Sequence, residues 1–169
     1  MKIDLTNLFN STLDRVIIDY RLDLSNLIYS TYNPIKNDVT IKGSVFTKAD
    51  IVYLDVDISF DFFGYCDRCA EEIEKEFLLK VKRILIESLE NEDDYDNDEY
   101  VIVKNKELDL DSLVSEEVML ELPSKLLCKE DCKGLCPKCG TNLNVKKCDC
   151  KSDVDPRMEA LLQLLDDEE

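Results

Sequence analysis

The stretch that decides the fold is residues 54–62, LDVDISFDF, in which every even-numbered residue is apolar and every odd-numbered residue is polar. Successive side chains of a strand point to opposite faces of a sheet, so this stretch predicts a strand with one buried and one solvated face. Three of the polar residues are aspartates, which resemble a carboxylate site. A solvated strand face is the more common reason for charges at this spacing.

The same period of two recurs on both sides of this stretch. Apolar residues alternate with polar ones in residues 18–24 and, after a break at Asn33-Pro34, in residues 39–45. Residues 73–86 fit a strand or a helix, and we favour a strand because a C-x2-C turn between two strands makes a compact hairpin tip. Residues 100–103 return to strand character.

Helical signals come only after residue 108. Asp109 or Asp111 can cap a helix that runs through Leu122 and stops before Pro123. We therefore predict an α+β protein with a twisted antiparallel sheet, tending to close towards a barrel, one or two helices, and a C-terminal cysteine-rich zinc-binding segment.

That segment, residues 128–150, reads CKEDCKGLCPKCGTNLNVKKCDC and holds six of the chain's eight cysteines. The other two form the turn Cys66-Asp67-Arg68-Cys69. Two thiolates on one tight turn can point at the same metal ion, and sets of four suit Zn²⁺ or an iron–sulfur cluster. The predicted metal ligands are Cys66, Cys69, Cys128, Cys132, Cys136, Cys139, Cys148 and Cys150.

Three other roles for these cysteines remain open. They are disulfide bonding, thiol-redox catalysis of the C-x2-C type, and packing as small core residues. Polar and turn-forming neighbours in the cysteine-rich segment make core packing the weakest of the three.

The spacing suggests how the cysteines divide between two metal ions. Cys136, Cys139, Cys148 and Cys150 form the tighter set, which leaves Cys66 and Cys69 with Cys128 and Cys132. A second zinc ion held by the latter set would pin the segment to the hairpin tip. The alternative is a single site in the segment, with Cys66 and Cys69 as free thiols.

Charge and composition limit the classes of function and of binding partner that suit the chain. The 169 residues carry 38 acids against 21 bases, for a formal net charge of −17, which favours basic partners over broad contact with phosphates. Histidine is absent, which excludes a histidine base, triad or metal ligand. No apolar run reaches the roughly 18 residues of a membrane span, and the charged opening residues predict no signal peptide, so we expect a cytoplasmic protein.

One part of the chain departs from this acidic balance. Residues 125–151 contain seven lysines against three acids. Because phosphate contacts need local cations, we expect any contact with RNA or a partner here. The residues are Lys125, Lys129, Lys133, Lys138, Lys146, Lys147 and Lys151.

We expect two units along the chain. Residues 1–124 form the β domain, with an exposed acidic loop at 87–99, and residues 125–169 form the metal-binding segment and a C-terminal helix. Asp155-Pro156 starts that helix, whose apolar stripe docks on the chain's own core or on a partner.

The cysteine motifs and their order resemble those of the YceD-like family, the large ribosomal RNA subunit accumulation proteins of bacteria and plastids. The matching stretches are Cys66-Asp67-Arg68-Cys69, residues 132–144 (CKGLCPKCGTNLN), Cys148-Asp149-Cys150 and Asp155-Pro156-Arg157. The resemblance implies a role in accumulation or processing of 23S ribosomal RNA. It also implies ribosomal protein bL32 as a candidate partner, because the two genes are commonly neighbours.

Two classes of function follow. In the first, the chain is a non-enzymatic factor that binds a basic ribosomal protein or the 23S rRNA precursor during maturation of the large subunit. In the second, it is an RNA-processing or thiol-redox enzyme. The sequence contains no histidine, phosphate-binding glycine loop or G-x-S-x-G motif to support the second class, and we expect no small-molecule substrate.

Overall fold

A computed structural model describes residues 1–29, 32–88 and 99–150 of the chain. The order of elements is β1 (Lys2–Asp4), α1 (Thr6–Phe9), β2 (Arg15–Leu22), β3 (Val39–Lys48), β4 (Ile51–Tyr65), β5 (Glu72–Ile86), β6 (Tyr100–Ile102), β7 (Glu107–Asp109) and α2 (Leu110–Glu121). A 3₁₀ turn at Lys104–Lys106 precedes β7. The α+β class with few helices is confirmed.

The main sheet has five strands in the order β2-β3-β4-β5-β6. Strands β2 to β5 are antiparallel neighbours, and β4 and β5 form a hairpin of 15 residues on each side. The region that fitted both periods, residues 73–86, is therefore strand. The turn Cys66-Asp67-Arg68-Cys69 lies at the tip of this hairpin, as expected.

The alternation in residues 54–62 does set the two faces of β4. Its even-numbered side chains are buried and its odd-numbered ones reach solvent to varying degrees. The buried face joins one hydrophobic core with residues of β2, β3, β5 and α2. Burying apolar surface contributes about 25 cal/mol per Å², so the alternation fixes which face turns inward.

A second layer covers this buried face. Helix α2 begins at the N-cap Asp109, whose carboxylate accepts a hydrogen bond from the backbone N–H of Ser112. It contributes Leu110, Leu113, Val114 and Val118 to the core. The Arg83 guanidinium of β5 pairs with Glu117 of α2 at 2.5 Å, and the Tyr20 hydroxyl of β2 donates to the Asp111 carboxylate. Strands β1 and β7 pair as a separate two-stranded sheet.

The expected closure towards a barrel is not supported, because β2 and β6 lie at opposite edges of an open sheet. A barrel requires the first and last strands to pair. Strand β6 has only three residues and joins β5 in parallel, so it ends the sheet instead of bringing it round to β2.

Some predictions fall on residues that the structure does not describe. They are the acidic loop beyond its described ends (Glu87, Ser88 and Glu99) and the C-terminal helix with its apolar stripe. The division of the chain after residue 124 stays a prediction. Among the described residues, no helix is long and apolar enough to span a bilayer.

Candidate metal centres

The first cluster of four cysteines joins the hairpin tip to the segment after α2. The Sγ atoms of Cys66 and Cys132 are 3.8 Å apart, and those of Cys69 and Cys128 are 3.5 Å apart. All four Sγ atoms lie within 4.8 Å of one another. Thiolates bound to zinc at about 2.3 Å in a tetrahedron stand about 3.8 Å apart, so the arrangement fits such an ion.

The second cluster lies within the cysteine-rich segment. The Sγ atoms of Cys136, Cys139, Cys148 and Cys150 also lie within 4.8 Å of one another. Cys136 is buried, whereas Cys139 and Cys150 are exposed. The eight residues between Cys139 and Cys148 form the small loop that the spacing suggested. The structure thus groups the cysteines into the same two sets of four that we expected.

The two C-x2-C turns share one backbone geometry. The N–H of Ala70 donates to the carbonyl of Cys66 at 2.8 Å, and the N–H of Gly140 donates to that of Cys136 at 2.9 Å. Both Ala70 and Gly140 adopt a positive φ, of 57° and 69°. This reversal aims backbone N–H groups of each turn at its first sulfur.

These donors favour the thiolate, which is the form that binds metal. Burial alone would raise the pKa of Cys66, but backbone N–H groups, including those of Arg68 and Cys69, outweigh it and lower the pKa to about 6. In the second cluster, the side chain and backbone of Thr141 lower the pKa of Cys139 to about 6. The Cys139 Sγ and the Thr141 hydroxyl oxygen are 3.1 Å apart.

Cys69, in the first cluster, shows the opposite effect. A backbone hydrogen bond at Glu71 favours the thiolate of Cys69, yet burial and the neighbouring thiols raise the pKa of Cys69. Four sulfurs held this close repel one another when ionised. A divalent cation would remove that repulsion by supplying the missing positive charge.

The segment is attached to the hairpin tip by hydrogen bonds as well as by cysteines. Asp67 is bonded twice to Leu126: its N–H donates to the Leu126 carbonyl at 2.8 Å, and its carboxylate accepts from the Leu126 N–H at 2.7 Å. Arg68 donates to the Cys132 carbonyl at 2.8 Å and accepts from the Leu135 N–H at 3.0 Å. The two middle residues of the first C-x2-C turn therefore hold the segment in place.

One asparagine of the segment adds to this attachment, and a second bonds to a sulfur of the first cluster. Asn142 donates to the Glu71 carboxylate at 2.9 Å, and Asn144 donates to the Cys132 Sγ at 3.3 Å. Sequence reasoning did not assign roles to these asparagines, nor to Asp67 and Arg68. In the sequence, these four residues are marked by their position inside the cysteine motifs. Their contacts form only when the two turns meet in the folded chain.

The lysines expected to contact RNA or a partner lie on the surface of the segment. The six that the structure describes, Lys125, Lys129, Lys133, Lys138, Lys146 and Lys147, are all exposed, and Lys151 lies outside the described residues. Their role stays a prediction. No phenylalanine, tyrosine or tryptophan occurs among residues 125–151, so these lysines offer charge without a surface for base stacking.

The chemistry of both clusters is that of a closed site. Each supplies four thiol ligands, which fill the coordination shell of a tetrahedral metal and leave no position for water or substrate. The residues present fit a zinc ion or an iron–sulfur cluster, because both take four cysteines. A zinc ion bound by four cysteines would hold together the chain segments that supply them.

Comparison with known proteins places this arrangement in a family. Residues 54–165 match the family described as large ribosomal RNA subunit accumulation protein YceD. The chain belongs to the YceD family. The match begins in β4, and the matched range contains all eight cysteines.

Individual relatives differ in how much of their length is matched. An uncharacterised Bacillus subtilis protein, YlbN, is 34% identical over 134 residues, which is 77% of each chain. The chloroplastic YCED homolog 1 of Arabidopsis thaliana, a large ribosomal RNA subunit accumulation protein, is 47% identical over 45 residues, which is 27% of this chain and 14% of that protein. An uncharacterised protein of Mycobacterium bovis is 28% identical over 103 residues, 60% of this chain and half of its own. No solved structure matches the chain.

Proposed function

We propose that the chain is a cytoplasmic, non-enzymatic factor in large ribosomal subunit biogenesis, and that it supports accumulation or processing of 23S rRNA. Membership of the YceD family is the observation that carries the proposal, because the family and its plant members are named for large ribosomal RNA subunit accumulation. The chain acts by binding a basic ribosomal protein, with bL32 as candidate, or the 23S rRNA precursor.

A zinc ion in each cluster is part of this proposal. The sulfur spacing in the first cluster, 3.5 and 3.8 Å in two of its pairs, suits a tetrahedral ion, and these separations are too long for a disulfide bond of about 2.05 Å. The ions keep the lysine-bearing segment on the hairpin tip. An iron–sulfur cluster is the alternative cofactor.

A binding role fits the site better than catalysis does. Four thiolates on one metal leave no open position for an activated water, and cysteines committed to a metal are not available for thiol exchange. The excess of 38 acids over 21 bases suits contact with a basic protein, while the exposed lysines of the segment suit contact with phosphate.

The experiment that tests the function is complementation of cells lacking the gene. We expect a reduced ratio of 23S to 16S rRNA, restored by the wild-type chain and not by Cys69→Ser. An unchanged ratio in the deleted cells would refute the role in large-subunit biogenesis.

Incubation of the purified protein with precursor 23S rRNA and Mg²⁺ separates a factor from an enzyme. We expect the precursor to remain intact, because neither cluster presents an open metal position. Specific cleavage that Cys69→Ser and Cys139→Ser abolish would establish an RNA-processing enzyme instead.

A further inference from the structure

The face of the main sheet opposite α2 carries a row of partly exposed aromatic and apolar side chains. Cross-strand register places five residues of five strands side by side, and we call this set the aromatic row: Arg15, Phe46, Tyr53, Ile84 and Tyr100. The rings of Phe46 and Tyr53 stack with centroids 5.5 Å apart and planes 21° apart. The Arg15 guanidinium lies 5.3 Å from the centroid of Phe46.

Basic side chains surround this row on the same face. Register and strand alternation place six exposed cations there: Arg15, Arg21, Lys42, Lys48, Lys80 and Lys82. The acids interleaved with them on those rows of the sheet are Asp19, Asp55 and Asp57, which gives this end of the face a formal charge of six minus three, or +3. This local excess at one end of the face contrasts with the net charge of −17 of the whole chain. Towards the hairpin tip the same face is acidic, with Asp61, Glu72, Glu74 and Glu76.

A shallow cavity lies where the row and the cations meet. It has a volume of about 330 Å³, and its lining includes Phe46, Tyr53, Lys48 and Lys82. The Lys82 Nζ is 3.3 Å from the Asp55 carboxylate, an exposed ion pair that contributes little stability and that a phosphate could replace. Aromatic rings and ammonium groups thus border the same concave space.

We propose that this outer face of the sheet binds single-stranded RNA, with bases stacked on Phe46 and Tyr53 and phosphates held by Arg15, Lys48 and Lys82. Stacked aromatic rings with flanking cations are the arrangement by which proteins bind nucleic-acid strands whose bases are unpaired. The positive charge of the end of the face around the aromatic row disfavours a basic protein as the occupant of that end. The choice of RNA over DNA rests on the proposed function.

The same chemistry separates this face from the lysine-rich segment. The segment can neutralise phosphates, but it contains no aromatic residue between positions 125 and 151. The sheet face offers both charge and stacking. Along the chain its cations are dispersed from Arg15 to Lys82 and interleaved with acids, so that only the pairing of strands collects them.

The test measures binding of the full-length, zinc-loaded protein to a fluorescein-labelled oligouridylate. A length of about twelve nucleotides lies within the range of site sizes of folds that bind single strands. Phe46→Leu removes the stacking ring and Lys82→Gln removes one cation. Each has a matched control in β5, on the opposite face of the sheet: Phe77→Leu and Lys75→Gln.

We expect Phe46→Leu to weaken binding about fivefold or more, the lower end of what stacking of a base on an aromatic ring contributes. Lys82→Gln should reduce the slope of log K against log salt by about 0.7 for the lost phosphate contact. The two control variants should bind as the wild type does. Equal affinity of Phe46→Leu, Lys82→Gln and their controls would overturn the proposal.

A fluorescence measurement does not depend on the stability of these variants. The chain contains no tryptophan, so Tyr53→Trp introduces a single reporter into the aromatic row. We expect the oligouridylate to quench it, while Tyr65→Trp, on the same face beside Glu72, stays unquenched. Equal behaviour of the two reporters would contradict the assignment of the site.

Binding of RNA at another surface, or of another partner at this one, would give different results. If glutamine at Lys125, Lys129 and Lys133 abolishes binding while the sheet variants bind normally, RNA contacts the segment and this proposal fails, although the proposed function stands. If the sheet variants weaken binding of bL32 and leave RNA binding unchanged, the face is a protein interface and the proposal also fails.

Discussion

Gly134 shows how a single residue fixes the contact between the two cysteine turns. Its φ is 75°, and a Cβ atom added there would lie 2.9 Å from the Arg68 carbonyl oxygen. That oxygen accepts the hydrogen bond from Leu135. Gly140, with a φ of 69°, has no atom within 4 Å of the equivalent position, so the two glycines form a matched pair.

We predict that Gly134→Ala loosens the segment more than Gly140→Ala does. Alanine at Gly140 adds only backbone strain of about 1 kcal/mol, the usual cost of a left-handed conformation for a residue with a Cβ. Alanine at Gly134 adds the clash with Arg68 and separates Leu135 from its acceptor.

Amide hydrogen exchange of Leu135 measures this difference. Exchange should accelerate strongly in Gly134→Ala and little in Gly140→Ala. Similar rates in the two variants would show that the close approach at Arg68 does not hold the segment.

At the scale of elements, helix α2 depends on its N-cap. Asp109 accepts from the backbone N–H of Ser112, which otherwise has no partner in the first turn. We predict that Asp109→Ala lowers the free energy of unfolding by about 1 kcal/mol, and that Asp109→Asn, which keeps the acceptor, lowers it far less.

Urea denaturation followed by circular dichroism provides the measurement. The control is Glu107→Ala, two residues away, whose carboxylate pairs only with the exposed Lys2 among the contacts described here. A loss in Asp109→Ala no greater than that in Glu107→Ala would contradict a capping role.

At this scale, sequence periodicity predicts an element correctly where the two faces of that element have different surroundings. Apolar and polar residues alternate in β4 because one of its faces is buried and the other is solvated. Residues 73–86, which fitted both periods, form a strand because they pair with β4. Strand β6 carries no such information about direction. Its three residues pair in parallel with β5, and a period of two does not distinguish a parallel from an antiparallel strand.

At the scale of the whole molecule, the buried cysteines of the first cluster form a group of their own beside the main hydrophobic core, which Leu126 of the segment joins. The main hydrophobic core contains no cysteine, and Cys66, Cys69 and Cys132 form a separate buried group with Ile73 and Leu127 packed against it. We therefore expect the segment to depend on bound metal ions more than the sheet does.

We predict two zinc ions per chain, counted by native mass spectrometry. Cys69→Ser should lose one ion and release the segment from the hairpin tip, because its cluster spans both parts. Cys139→Ser should lose the other ion and leave the attachment intact. Removal of both ions by a chelator should free the segment and leave the strand signal in circular dichroism unchanged.

A count other than two zinc ions per chain would favour one of the alternative arrangements of the cysteines. One ion per chain would favour a single site in the segment, and no ion would refute both sites. A brown protein containing iron and inorganic sulfide would identify iron–sulfur clusters in place of zinc.

The sequence by itself determined the strands of the main sheet, the capped helix and the division of eight cysteines into two sets, because alternation, caps and C-x2-C turns are local patterns. Strands β1 and β7 were not predicted. The tertiary structure decided that the sheet stays open and that Asp67 and Arg68 form hydrogen bonds to the segment. It also decided that cations and aromatic residues dispersed along the chain lie on the same outer face of the sheet. These features join residues far apart in the chain. Their contacts depend on register and on the meeting of separate turns, which no local pattern encodes.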